Sequence, residues 1–362
     1  MKTKILVFVY LFYLTGAIKG QDLHFSQFNE NPSLVNPALT GATNPFKAIL
    51  TFKDQWNSVT NAYRTYGMTI EKRFTFGETK SNNDPGHYMI SSGSRARLGT
   101  GLAVYNDKAG DGGLGQTRIN LSVAGFIPID KRTYFSIGLQ GSFVQRTLDQ
   151  TKLIFPSQFN GAVYDPNLAQ GENFGNQRYN YGDFALGALW SHAQDQTRIA
   201  LNNFFKANIG LALYHVNRPE YRFVNSNQKS PMKVVAHGDF LMCQANSDIA
   251  WAPSYLMQFQ GKSVELVLGC VLKNYLKDKS KYTGLVKRSS VNYGLYYRNR
   301  DAVVLSFMFE KEEEYAIGIS YDINFSGLSN ASKGRGGLEL ALRYTPAKDF
   351  LFQKKAKPNS QL

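Results

Sequence analysis

The chain has 362 residues, a formal net charge of +14, 43% hydrophobic and 14% aromatic residues, 32 glycines and two cysteines. This hydrophobic share suits a folded protein and falls far short of a bundle of membrane helices, and two cysteines do not make a disulfide framework. The positive balance fits an anionic partner, such as lipopolysaccharide or an acidic protein surface, or equally a set of loops and a lumen with excess Lys and Arg.

Residues 1–20 read as a secretory signal: Lys2 and Lys4 start it, Ile5 to Leu14 is its apolar core, and Ala17, Ile18 and Gly20 precede Gln21. The apolar run is too short for a hydrocarbon core of about 30 Å, which needs roughly 20 residues. No Cys follows the leader, so a lipoprotein anchor is not indicated. An exported chain with no other candidate membrane helix is either soluble or an outer-membrane barrel.

Residues 21–46 carry Asn-Pro three times, at Asn31-Pro32, Asn36-Pro37 and Asn44-Pro45. Asn-Pro favours turns, and Pro turns the preceding residue away from helix. The stretch is therefore expected to be an ordered, non-helical lead-in, either periplasmic or filling a lumen. From residue 47 to residue 345 the pattern alternates with period two. Phe135, Ile137, Leu139 and Phe143 stand on one face, Ser136, Gly138, Gln140 and Ser142 on the other. Tyr315, Ile317, Ile319, Tyr321 and Ile323 likewise alternate with Ala316, Gly318, Ser320, Asp322 and Asn324.

The second face is small or polar, as a wet lumen requires, and segments of about 9–13 residues can cross a membrane at a tilt of about 45°. Strands of a soluble sandwich are nearer 5–6 residues. The expected fold is an all-β, transmembrane, antiparallel up-and-down barrel of about 14 strands, with a short N-terminal lead-in and a C-terminal tail. Strands begin near residues 47, 63, 97, 115, 133, 180, 206, 232, 247, 262, 289, 301, 313 and 335. Tyr105, Phe126, Tyr134, Trp190, Tyr214, Phe309, Phe325 and Tyr344 lie near strand ends and are expected to form interfacial girdles. With both chain ends in the periplasm, Phe155 to Arg178 and Asn217 to Pro231 face outward. Phe74 to Arg95 and Lys277 to Ser289 then become long periplasmic connections. Residues 346–362 are a basic periplasmic tail.

Nothing local indicates catalysis, a cofactor or a metal. His24, His87, His192, His215 and His237 lack metal-ligand spacing, and the dispersed basic residues do not make a nucleic-acid groove. Asn106 to Gly113 is a Gly- and Asp-rich hairpin turn rather than a calcium loop. Cys243 and Cys270 are expected to be small apolar strand residues. Asp183 and Asp322 face the inferred lumen, where a charge can stay hydrated. His215-Val216-Asn217-Arg218-Pro219 ends a strand with a polar cluster suited to pinning a loop or meeting a partner.

QDLHFSQFNENPSLVNPALTG after the leader, YNDKAGDGGLGQT, HVNRPEYRF, PSYLMQFQGKSVELVLG and YDINFSGLSNASKGRGGLELALRY occur in this order along nearly the whole mature chain. In these stretches the sequence resembles the PorP/SprF family of type IX secretion and gliding-motility membrane proteins. Cys243, Cys270 and Gly20 depart from its usual pattern. The resemblance implies a non-enzymatic integral protein of the outer membrane. Its implied partners are type IX components in the outer membrane and periplasm, the lipid bilayer, and a secreted cargo, often an adhesin, recognised by its C-terminal domain. His24, Phe25, Gln27, Phe28, Asn36 and Pro37 are the candidate lumen or partner contacts of the lead-in, with His215, Arg218 and Pro219 beside them. The competing class is a diffusion channel or small-solute transporter; a barrel hydrolase using His215 is the third.

Overall fold

The computed structural model describes residues 23–56, 62–76, 96–110, 112–130, 132–149, 153–169, 171, 177–194, 204–220, 229–244, 247–276, 289–326 and 334–346. The expected signal, the first two residues of the lead-in, the tail beyond residue 346 and most of two long connections (77–95 and 277–288) lie outside them.

The alternating segments are strands β1 (Phe46–Gln55), β2 (Tyr63–Phe76), β3 (Ala96–Ala109), β4 (Leu114–Pro128), β5 (Thr133–Thr147), β6 (Arg178–Gln194) and β7 (Phe204–Tyr214). They continue as β8 (Lys233–Cys243), β9 (Ile249–Gln260), β10 (Ser263–Tyr275), β11 (Ser290–Arg298), β12 (Ala302–Lys311), β13 (Tyr315–Asn324) and β14 (Arg335–Tyr344). Each pairs antiparallel with its neighbours in sequence, and β14 pairs with β1 from Ala48↔Tyr344 to Gln55↔Gly337, so the sheet closes into a barrel of fourteen strands. Closure pairs the first and last strands of the sheet with one another, the condition for a sheet in hydrocarbon.

Burial follows the residue alternation. In β13, Tyr315, Ile317, Ile319, Tyr321 and Ile323 are exposed, while Ala316, Gly318, Ser320, Asp322 and Asn324 are covered. In β14, Leu338, Leu340 and Leu342 point out and Glu339 and Ala341 point in. An outer wall carrying exposed Leu50, Met68, Leu121, Ile137, Leu139, Leu211 and Leu295 is far more apolar than water tolerates over so large an area. It is a membrane-facing wall.

Four of the eight expected girdle aromatics face the other way. Tyr105, Phe126, Tyr134 and Tyr214 are buried. Each shares its face with small inward residues such as Ala103, Ala124, Ser136 and Ala212, and strand parity sends it into the lumen. Trp190, Phe325 and Tyr344 are exposed. Asp183 and Asp322 face the lumen as expected, but they are buried in ion pairs with Arg118 and Arg298 and not hydrated. Cys243 and Cys270 lie on strands, the first facing in, the second out, and no disulfide joins them.

Connections are tight where the backbone closes them. In the β4–β5 turn the Asp130 carboxylate accepts a hydrogen bond from the Arg132 N–H at 2.6 Å, and this bond holds its carboxyl below the ordinary range. At the other end of the barrel, β6 runs past the pairing limit of β7. Asn217 covers its bare edge, donating to the Gly182 carbonyl (2.7 Å) and accepting from the Phe184 N–H (3.3 Å).

Candidate functional site: a lumen occupied by the N-terminal segment

The lead-in contains more helix than its Asn-Pro dipeptides suggest. Phe28–Glu30 and Pro37–Leu39 are 3-10 turns, and Pro32–Val35 is a single α-helical turn, α1. The reason is positional: Pro disfavours helix at the residue before it and is well suited to the first helical position itself. Asn36 is accordingly extended, and its side-chain oxygen accepts from the Ala38 N–H (2.9 Å) to start the next turn.

These turns lie across the barrel interior, with Phe25 on Tyr105 of β3 and Phe28 on Tyr296 of β11, ring centroids 6.1 Å apart in each pair. The entering end is clamped by charge. Glu339 accepts from the backbone N–H groups of Ser26 (2.8 and 3.0 Å) and Gln27 (3.1 Å), while Lys53 reaches the same carboxylate at 2.9 Å and the His24 carbonyl at 3.3 Å. Arg298 pairs with Asp322 at 2.8 Å, and the Ser26 hydroxyl bridges them, accepting from Arg298 (3.1 Å) and donating to Asp322 (2.9 Å).

Further along, Arg343 holds Glu30 of the segment at 2.6 Å and Glu310 of the wall at 2.8 Å. Lys273 pairs with Glu310 at 2.5 Å. The helical turn α1 is tied to two separated strands: the Ser33 hydroxyl to Tyr105 at 2.8 Å, and the Ser33 carbonyl to the Tyr214 hydroxyl at 3.1 Å. Buried charges are tolerated only when paired and hydrogen-bonded. Here the pairing partners come from both wall and segment, so the ionic groups of the lumen act as a socket.

At the exit end the contacts are close-fitting and mostly neutral. The Asn36 amide donates to the carbonyls of Ala188 (3.0 Å) and Leu211 (3.3 Å), and lies 3.0 Å from the His237 ring nitrogen, joining β6, β7 and β8. Ser136 donates to the Ala38 carbonyl at 2.8 Å, and Thr40 to Ser122 at 2.9 Å. Arg73 donates to the carbonyls of Gly41 (2.9 Å) and Ala42 (3.3 Å), and Glu71 accepts from the Gly41 N–H (3.1 Å) beside Lys47 (3.3 Å). The chain then enters β1.

Glycine makes room for this approach. A Cβ at Gly138 would collide with the backbone of Pro37 and Ala38, which cannot move aside, whereas one at Gly125, on the outward face of the neighbouring strand β4, meets nothing within 4 Å. Gly138→Val is therefore expected to cost about 1–3 kcal/mol of stability and to make residues 23–45 cleavable in limited proteolysis. Gly125→Val should leave both unchanged; equal behaviour of the two variants would contradict the seating of the segment.

The structure thus gathers Phe25, Gln27, Phe28, Asn36 and Pro37 in the lumen, with His24 half-buried at the entering end. It places the second group elsewhere. His215 is buried in the wall, Nδ1 2.9 Å from Asp183, which Arg118 reaches at 3.2 Å; Arg218 is exposed on the following loop and Pro219 half-buried. His215 and Arg218 both have left-handed backbone (φ 57° and 47°), so this short turn is held in place by its polar contacts. Sequence reasoning did not single out Lys53, Glu339, Arg298, Arg343, Tyr105 or Tyr214 as contacts of the lead-in. The signal available was opposite charge recurring on the small, polar face of distant strands. Among the described residues, no three His, Cys, Asp or Glu side chains are grouped so as to hold a metal ion.

A model of the family described as type IX secretion system membrane protein PorP/SprF matches residues 17–344. No curated protein sequence matches the chain. Among solved structures, the chain is similar to the beta domain of the Bordetella autotransporter BrkA, at 12% identity over 84% of this chain and 99% of that one (TM-score 0.40). It is also similar to BamA from Haemophilus ducreyi lacking POTRA domains 1–3 (10%, 83% and 70%, TM-score 0.39). A third is a deletion mutant of the TodX monoaromatic hydrocarbon channel (10%, 87% and 93%, TM-score 0.39).

Proposed function

Because the chain belongs to the PorP/SprF family of type IX secretion system membrane proteins, we propose that it is a non-enzymatic outer-membrane component of that apparatus. In this role it assists export or surface attachment of a cargo protein such as an adhesin. The observation that carries the reading is the filled lumen: with residues 23–45 bonded to the interior wall, the barrel offers surfaces to proteins and not a path to solutes. That occupancy weighs against the diffusion-channel alternative.

The loop between β5 and β6 is the surface best suited to cargo. Gln158 is buried at its centre, accepting from the Phe155 N–H (3.2 Å) and donating to the Leu168 carbonyl (3.4 Å). Phe159 bridges to Tyr164, and Ile154, Phe159, Val163 and Tyr164 stand exposed on this ordered frame. Aromatic and apolar side chains presented from a fixed backbone are favoured interface anchors. In this reading the leader 1–20 is removed on export, and the basic tail 346–362 meets periplasmic components of the apparatus.

A strain lacking the protein is expected to trap one or more cargo proteins bearing a type IX C-terminal domain in the periplasm, measured by fractionation and surface labelling. Normal secretion and attachment of all such cargo would overturn the proposal.

A further inference from the structure

The membrane-facing wall carries a groove of about 530 Å³ where β12, β13, β14, β1 and β2 lie side by side. Register arranges its lining in two tiers. Lys311, Tyr315, Tyr344 and Ala48 are paired in succession in one, and Phe309, Ile317, Leu342, Leu50 and Met68 in the next, deeper in the apolar band. Ala48 leaves the gap: every other outward side chain of the groove is larger. The rings of Tyr315 and Tyr344 stack at 4.9 Å, and such amphipathic rings sit at the headgroup level of a membrane.

Charge completes the pattern. Lys311 is exposed at one rim of the groove. On the other flank Lys72, exposed and lying over the Phe74 ring at 4.9 Å, is one outward position further from the apolar band than the Ile70 that pairs with Ala48. The turn that follows Lys311 is Glu312-Glu313-Glu314. Apolar walls, a cation at their edge and carboxylates one step beyond match an acyl chain, a phosphate and an adjacent ammonium group.

We propose that this groove is a binding site for phosphatidylethanolamine. An acyl chain fills the space over Ala48, Leu342 and Ile317, the phosphate meets Lys311, and the primary ammonium lies against the glutamate turn. The groove opens at the end of the barrel where β1 begins and β14 ends, opposite the longest connection (residues 148–177). Long loops mark the outer face of such barrels, so the groove lies in the periplasmic leaflet, which is built of glycerophospholipid.

The test is native mass spectrometry of the protein purified in mild non-ionic detergent and titrated with phosphatidylethanolamine or phosphatidylglycerol. Wild type should retain one phosphatidylethanolamine in preference to phosphatidylglycerol. Ala48→Trp, which fills the gap, and Lys311→Glu, which removes the phosphate contact, should each weaken retention about tenfold or more. Both positions face lipid, and heat-modifiable mobility on a gel verifies that each variant is folded. Should the tryptophan variant fail that check, Lys311→Glu decides alone. Equal retention of the two lipids, or unchanged retention in the folded variants, would overturn the assignment.

Discussion

Removal of residues 23–45 is expected to convert a barrel that passes no steady current into a wide ion-conducting pore. Small eight-stranded barrels fill their interior with their own wall side chains, whereas barrels of 16–18 strands leave an aqueous channel. At fourteen strands the wall alone does not fill the space, and here the segment does so, reaching from β11 and β14 on one side to β3 and β7 on another. Without it, the exposed interior would carry Lys53, Arg298, Arg343, Glu310, Asp322 and Glu339, a wettable lining of both signs. The strands pair with one another from β1 round to β14 without help from the segment, so the barrel itself should still close. Single-channel recording in planar bilayers, with heat-modifiable mobility as the folding control, makes the comparison. A large steady conductance already present in the full chain, or none in the folded deletion, would sink the idea of an occluding segment.

The second large effect is expected at Glu339. Its carboxylate satisfies two backbone N–H groups of the segment and the Lys53 ammonium, all of them buried. Glu339→Ala leaves an uncompensated buried charge and two orphaned donors, and breaking one partner of a buried pair costs about 3–5 kcal/mol. The companion change Lys53→Met with Glu339→Leu removes both charges while keeping the volume. It is expected to recover the part of the loss that comes from the unpaired charge, because replacing both members of a buried pair is often neutral, while the Ser26 and Gln27 N–H groups stay without their acceptor. Denaturant midpoints followed by tryptophan fluorescence or gel mobility measure this. If Glu339→Ala lies within about 0.5 kcal/mol of wild type, the range of an ordinary surface change, the clamp is not an anchor.

The barrel was legible in the sequence because lipid imposes an unbroken rule on one face of every strand. Alternation placed all fourteen strand starts within two residues of those in the structure, Tyr63, Thr133 and Arg335 among them. The direction of an aromatic ring was legible too, but from parity and not from nearness to a strand end: Tyr105 belongs with Ala103, and Tyr214 with Ala212. The partners of the lead-in were not legible. Any inward cation can meet any inward anion until closure and register fix which strands stand together, and nothing local in Ser26 or Glu30 names Glu339 or Arg343. Asn36 shows the same limit on a smaller scale, since its socket is assembled from Ala188, Leu211 and His237 on three strands.

The clamp on Ser26 also constrains the order in which the molecule is assembled. Ser26 and Glu339 are separated by 313 positions in the sequence, and contacts of such range form only after the intervening chain has been ordered. The carboxylate that receives the Ser26 N–H belongs to β14, the strand whose pairing with β1 seals the wall. Until that strand arrives, the socket has neither Glu339 nor Arg343 to offer. Sealing the seam and locking the segment are therefore coupled late events, and the stretch synthesised ahead of every strand is the last to find its place.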